Sequence, residues 1–218
     1  MIQRILEKAI QQRLGQGKAL ILFGARQVGK TTMLKNMLRE RDDVLWLNGD
    51  EQDVRSLFEN ASSTMLGAVI GKKKIVVIDE AQRIVNIGLC LKLIIDNIPD
   101  VQVVATGSSS FDLSNMINEP LTGRKIEYWM YPLSFGELVA HNGLLEEKRL
   151  LAHRLVYGSY PDVVNNVGDE KMVLSELADS YLYKDILMFD KIKKSDKLVK
   201  LLQALAFQMG SEVSYNEL

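Results

Sequence analysis

Glycines at 24 and 29, a lysine at 30 and a threonine at 31 satisfy the pattern G-x-x-x-x-G-K-[ST] in the stretch GARQVGKTT, residues 24–32. The chemistry this spacing serves is the wrapping of phosphates. Backbone N–H groups point at the anion, and glycine is needed where the chain turns tightly or the ligand comes close. The cradle would run through Gly24, Ala25, Arg26, Gln27, Val28, Gly29, Lys30, Thr31 and Thr32. Lys30 is expected to reach the β- and γ-phosphates of a nucleotide, and Thr31 to place its hydroxyl on Mg²⁺. The apolar run ALILF before the loop and the helix-patterned MLKNMLRE after it supply a strand and a helix N-terminus, whose dipole and free donors favour an anion. A glycine turn beside a solvated lysine is the plainer reading, and the strand, loop and helix context weighs against it.

A second chemical pair lies 49 residues beyond Lys30, where KIVVIDE ends in Asp79 and Glu80. In a phosphate-loop fold the strand next to the loop delivers an aspartate to the metal's water shell, which is the role expected of Asp79. Glu80 is then the natural general base, polarising a water lined up on the γ-phosphate. Standing alone, the same two carboxylates would serve to cap the helix that follows. The pair also separates classes. A GTPase would carry a guanine-reading Asn-Lys-x-Asp element, which is absent, and a small-molecule kinase an arginine-rich lid, whereas residues 135–218 hold only Arg149 and Arg154. ATP hydrolysis is the reading that remains.

Two further candidates follow. The run VVATGSSS places Ser108 or Thr106 at the tip of a strand lying between the loop strand and the Asp-Glu strand, where a hydroxyl can sense the γ-phosphate; a serine-rich turn capping FDLSNMI is the competing explanation. Arg124 stands just before the run KIEYWMYPLS. A guanidinium there can stabilise charge on the transferred phosphoryl group, from the same subunit or a neighbour, or can be a plain surface arginine.

The elements that must position these groups are legible as apolar runs. Residues 18–24, 44–50, 74–80, 101–107 and 125–134 predict five strands, and residues 30–40, 53–70 and 84–97 predict helices between them. Strands apolar on both faces, alternating with helices, belong to a parallel sheet covered on both sides. After residue 134 the pattern turns helical. The expected division is an α/β nucleotide domain over 1–134, a small all-helical lid over 135–209, and a further start at 210–218, where Ser214 and Glu217 form a capping-box signal suggesting that the natural protein continues. At the other end, Ile2, Ile5, Leu6, Ala9, Ile10 and Leu14 predict an amphipathic helix packing on the sheet, with binding of a partner as the lesser alternative.

Bulk numbers narrow the function classes. The 218 residues, 47% of them hydrophobic, suffice for a packed core. Twenty-seven basic against 28 acidic residues leave no electrostatic footprint of a dedicated nucleic-acid binder. The basic runs at 71–74 and 190–197 lack interleaved aromatics and read as solvated faces. Cys90, the single cysteine, reads as a small buried hydrophobe, and His141 and His153 lack partners at metal spacing. With no signal-peptide pattern and no membrane-length apolar run, a cytosolic protein is expected.

Taken in order, GARQVGKTT, VVIDEAQR, ATGSSSFDLS, LTGRKIEYWMYPLSFGEL and YGSYPDVV resemble a prokaryotic group of predicted AAA+ ATPases, over nearly the whole chain. The resemblance implies an ATPase module followed by a separate C-terminal domain that begins like a winged helix and is related to nuclease-like folds. It also strengthens Arg124 as a γ-phosphate-contacting residue and implies that SEVSYNEL opens that further domain. Two positions depart from the family pattern: Ser159 stands where a second glycine is common, and the lid arginine of many AAA+ proteins has only Arg154 as a weak match. The resulting expectation is an ATPase using ATP and Mg²⁺, with ADP as product, a possible homo-oligomer and no membrane partner. Its rivals are a regulatory module that holds ATP without hydrolysing it and a DNA-associated ATPase.

Overall fold

The computed structural model describes residues 2–107, 117, 120–179, 195–208 and 210. Five strands form one sheet: β1 (Ala19–Phe23), β2 (Val44–Asn48), β3 (Ile75–Asp79), β4 (Gln102–Gly107) and β5 (Lys125–Trp129). Every pairing is parallel, in the order β2-β3-β4-β1-β5. The fold is thus the expected α/β phosphate-loop sheet with helices on both faces. β1, β3 and β4 are buried because side chains alternate between two apolar layers. Ile21, Phe23, Val76, Ile78 and Val103 pack on one face with Val54 and Phe58 from α3 (Gln52–Phe58), Leu66 from α4 (Ser63–Ile70) and Leu91 and Ile94 from α5 (Ile87–Asn97). Leu20, Leu22, Ile75, Val77 and Val104 pack on the other with Ile10 from α1 (Ile5–Gln11) and Met33 and Leu34 from α2 (Lys30–Met37).

Three of the predicted elements change length for an identifiable local reason. The helix expected over 53–70 breaks into α3 and α4 because Asn60 takes φ 56° and the Ser62 hydroxyl accepts from the Met65 amide at 3.2 Å, capping a new helix. The helix expected from 84 begins at Ile87, after a single 3₁₀ turn over Ala81–Arg83 and a left-handed Asn86. The last strand ends at Trp129: Pro132 cannot donate to a ladder, and Ser134 and Glu137 form a capping box that opens α6 (Phe135–Asn142).

The helical stretch continues through α7 (Leu144–Arg149), α8 (Leu151–Tyr157) and α9 (Pro161–Asn165), which starts on proline, the residue suited to a first helical position. Contacts divide the chain into two compact units, Met1–Val164 and Asn165–Leu218, whereas the residue pattern changes at 135. The second unit contains α10 (Glu170–Leu177) and α11 (Ser195–Phe207). Ser214, Glu217 and most of the basic run 190–197 lie outside the described residues. Among the described residues, no helix is long and apolar enough to cross a membrane.

Cys90 is buried, with its Sγ 3.7 Å from the Phe58 carbonyl, and burial raises the thiol pKa above its ordinary value. Alkylation by a thiol reagent at pH 8 is therefore expected to be at least about tenfold slower in the folded chain than in denaturant, because the thiolate is the nucleophile. Equal rates in a mass-spectrometric time course would place Cys90 at the surface.

Candidate phosphate-binding site

Strand direction dictates where ligands bind in such a sheet. The connection leaving β1 runs towards β2 and the one leaving β4 towards β5, so the crevice opens at the carboxyl ends of β1 and β4, where the chain diverges. The loop 24–29 leaves β1 at this edge and turns into α2. Gly29, just before the helix, has φ 96°, a conformation that side chains rarely adopt. Gly24 is required for a different reason: a Cβ there would lie 2.4 Å from the Met130 carbonyl oxygen, so the loop packs directly against the backbone leaving β5.

Lys30 is buried, and its ammonium donates to the carbonyls of Gly24 at 2.7 Å and Ala25 at 3.0 Å. Burial pushes its pKa down; Glu80 and Asp79 oppose this by attraction, and Arg26 adds to it. The next residue, Thr31, donates its hydroxyl to Asp79 Oδ2 at 2.7 Å. Asp79 is reached across β4, which separates β1 from β3, and its other oxygen accepts a short hydrogen bond from the Thr106 hydroxyl. Thr106 in turn accepts from the Glu80 amide at 3.3 Å. Lys30, Thr31, Asp79, Glu80 and Thr106 thus converge on one edge of the sheet.

Glu80 has a strained backbone. Its φ of 50° and ψ of 44° lie in the left-handed region, unusual for a residue other than glycine and typical of positions where function sets the conformation. Its carbonyl oxygen fits against Gly49, whose missing Cβ would come within 2.4 Å. The Glu80 carboxylate accepts a hydrogen bond from the Gln82 amide nitrogen at 2.6 Å.

Of the remaining candidates, only Arg124 has a described position, and it stands elsewhere. Ser108 lies outside the described residues; among the described ones, Thr106 holds the strand-tip position beside Asp79. Arg124 precedes β5, and Ala19 pairs with Lys125, so Arg124 sits at the amino edge of the sheet. The length of β1, ~16 Å at about 3.3 Å per residue, separates it from the loop of its own chain. There it donates to Asp96 at 2.7 Å. Arg154 is held by Glu147, to whose carboxylate it donates at 3.1 and 3.2 Å.

One buried group escaped the reading of residue types. Arg4, 7% exposed, donates to the carbonyl of Val28 inside the loop at 2.8 Å, to the carbonyl of Tyr131 at 2.5 Å, and to Glu137 Oε1 at 3.0 Å. The periodicity of the first helix puts Ile5 inward; instead Ile5 is 66% exposed and Arg4 turns in, because three acceptors wait there. The S-x-x-E signal at 134–137 was the local clue to Glu137, whose carboxylate also accepts from the Ser134 amide at 2.8 Å and the Ile5 amide at 2.9 Å. Burial raises the Glu137 pKa, but the Ser134 and Ile5 amides and the Arg4 charge outweigh it and hold the carboxyl below its ordinary value. A carboxylate bound this way contributes stability above the ordinary carboxylate pKa and loses it as pH falls through the lower folded value. Glu137→Gln should therefore lower stability by about 1–3 kcal/mol at pH 7 and flatten the decline of Tm below pH ~4. A mutant whose acid decline matches the wild type would remove Glu137 from that balance.

Among the described residues no group of three or more His, Cys, Asp or Glu side chains is arranged to hold an ion. One hydroxyl and one carboxylate, on Thr31 and Asp79, do meet at 2.7 Å. Such hard oxygen donors, few in number, suit Mg²⁺ that completes its shell with water and phosphate.

Comparison with known proteins agrees with this fold. Residues 16–139 match the AAA_14 family, described as an AAA domain, and residues 148–218 match DUF8612, a domain of unknown function. An uncharacterized protein of Methanocaldococcus jannaschii is 22% identical over 99% of this chain and 52% of its own length. Another, from Haemophilus influenzae, is 27% identical over 89% of this chain and 52% of its own length. The chain thus spans about half the length of these curated relatives. Among solved structures, a Walker-type ATPase of Pyrococcus abyssi superposes over 100% of this chain and 87% of its own, with TM-score 0.61 at 17% identity. The ADP form of the Aeropyrum pernix ORC2 protein covers 97% of this chain and 75% of its own, with TM-score 0.50 at 14% identity. At such identities the likeness is one of fold. The match over 16–139, more than half of the chain, combines with a five-stranded phosphate-loop sheet to settle the family: the chain belongs to the AAA_14 group of AAA domains.

Proposed function

We propose that this chain is an ATPase module that binds MgATP in the loop 24–32, hydrolyses it and uses the cycle as a conformational switch. The single observation that supports this best is the convergence of Lys30, Thr31 and Asp79, with Glu80 next in sequence, at the carboxyl edge of β1 and β3. The amides of 25–32 would hold the phosphates, and Lys30, already stripped of water, would exchange its two carbonyl partners for phosphate oxygens. Thr31 and Asp79 would hold Mg²⁺, which when bound neutralises charge on the phosphates. Glu80 would take a proton from the attacking water as its oxygen bonds to the γ-phosphorus and the bond to the ADP oxygen breaks. Thr106 would orient Asp79 and the strand tip, and either Thr106 or Ser108 would sense the γ-phosphate.

Arg124 supports a second level of this reading. At the amino edge of the sheet it is set to serve the site of a neighbouring copy and not its own, which would make the active form a homo-oligomer. Residues 1–134 would act as the ATPase core and 135–209 as the lid that follows the nucleotide.

A rival reading, in which ATP is a structural ligand with negligible turnover, is favoured by the Gln82 amide that occupies one oxygen of Glu80. Thermal stabilisation by ATP, measured beside phosphate release, decides between them. Stabilisation with phosphate release supports hydrolysis; stabilisation without it supports the rival; neither would end both.

A further inference from the structure

The Arg4 guanidinium bridges three parts of the chain that no sequence spacing connects. It carries α1 on its own backbone, bonds the loop through Val28 and the exit of β5 through Tyr131, and pairs with Glu137 at the start of α6. The two side chains are 8% and 6% exposed, so the pair is shielded from solvent screening. Its Nη1 also lies beside the last loop glycine: a Cβ on Gly29 would be 3.9 Å from it. On the other flank, the Met130 amide donates to Phe23 at 2.7 Å and the Met130 carbonyl abuts Gly24. The loop is therefore clamped at both ends against the same short segment, Met130–Tyr131.

We infer that Arg4 is a positioning residue for nucleotide binding, holding the carbonyl side of the phosphate loop so that the amide side faces the phosphates. Orientation is the point of the contact. A peptide whose carbonyl is anchored by a fixed donor has its following N–H aimed the opposite way, because the peptide unit is planar and trans. Val28 O is the carbonyl of the peptide whose N–H belongs to Gly29, so anchoring it fixes the Gly29 amide within the cradle. A cradle held in its bound geometry before the ligand arrives binds more tightly than one that must be ordered on binding. Glu137 orders the guanidinium in turn, and is itself ordered by two backbone amides. Lysine cannot replace arginine here, since one ammonium cannot reach three acceptors with fixed fork geometry.

This inference rests on the loop being the nucleotide site, and the test separates the two. ATP affinity is measured by equilibrium titration for the wild type, Arg4→Lys and Glu137→Gln, together with Tm for each. A stability control is Gln102→Leu, which removes buried hydrogen bonds to Gly15 and Lys18 at the amino edge of the sheet, away from the loop. The expected result is ATP binding at least about tenfold weaker in Arg4→Lys, with Gln102→Leu lowering Tm while its affinity stays within twofold of wild type. Should Arg4→Lys fail to fold, Glu137→Gln carries the same criterion at about threefold or more. Wild-type affinity in a folded Arg4→Lys, or an equal loss of affinity in Gln102→Leu, overturns the inference. Absence of ATP binding by the wild type overturns the underlying reading of the loop, and the inference with it.

Discussion

Glu80→Gln is expected to bind ATP as the wild type does and to turn it over at least about a hundredfold more slowly, the usual worth of a general base. Glutamine keeps the shape and can still accept from Gln82, but it cannot take a proton. The backbone at Glu80 is set by its neighbours, with Gly49 accommodating its carbonyl and Thr106 accepting from its amide, so the substitution leaves the fold alone. Phosphate release under saturating MgATP, with affinity measured separately, gives the answer. Wild-type turnover in this variant would take Glu80 out of the chemistry while leaving the nucleotide site intact.

Lys30→Ala should reduce ATP affinity by about ten- to a hundredfold. The loss is that of a charge-assisted bond to phosphate, roughly 1.5–3 kcal/mol, in a site where the ammonium has already been desolvated. The apo protein should be little affected or even relieved, because among the described residues burial of Lys30 is compensated by two loop carbonyls and two nearby carboxylates. An unaltered or slightly raised Tm with lost nucleotide binding is the expected pair of results. A fall in Tm matching the fall in affinity would instead mean that Lys30 holds the loop together.

These residues were legible because their chemistry is written in spacing. Gly24, Gly29, Lys30 and Thr31 form one local pattern, and Asp79 and Glu80 end a strand whose apolar residues announce it. The strands too were visible, since burial on both faces leaves unbroken apolar runs. Helix ends were less so: Asn60 and Asn86 take left-handed conformations that interrupt otherwise helical patterns, and nothing in their flanks demands it. Arg4 and Glu137 are 133 residues apart, so their pairing carries no periodic signal, and Arg4 looked like one of the charged residues on a helix's wet face. Arg124 shows the complementary limit. Its position just before a strand was plain, but which edge of the sheet this means follows only from the direction of β5 relative to β1.

Calorimetric titration of the chain with ATP, in excess Mg²⁺ and again with the metal chelated, tests the central claim most directly. Saturable one-to-one binding that weakens about tenfold or more without Mg²⁺ and competes with ADP is the result this account predicts, because Thr31 and Asp79, which meet at 2.7 Å, would share a metal with the phosphates. No saturable binding in either condition would contradict it.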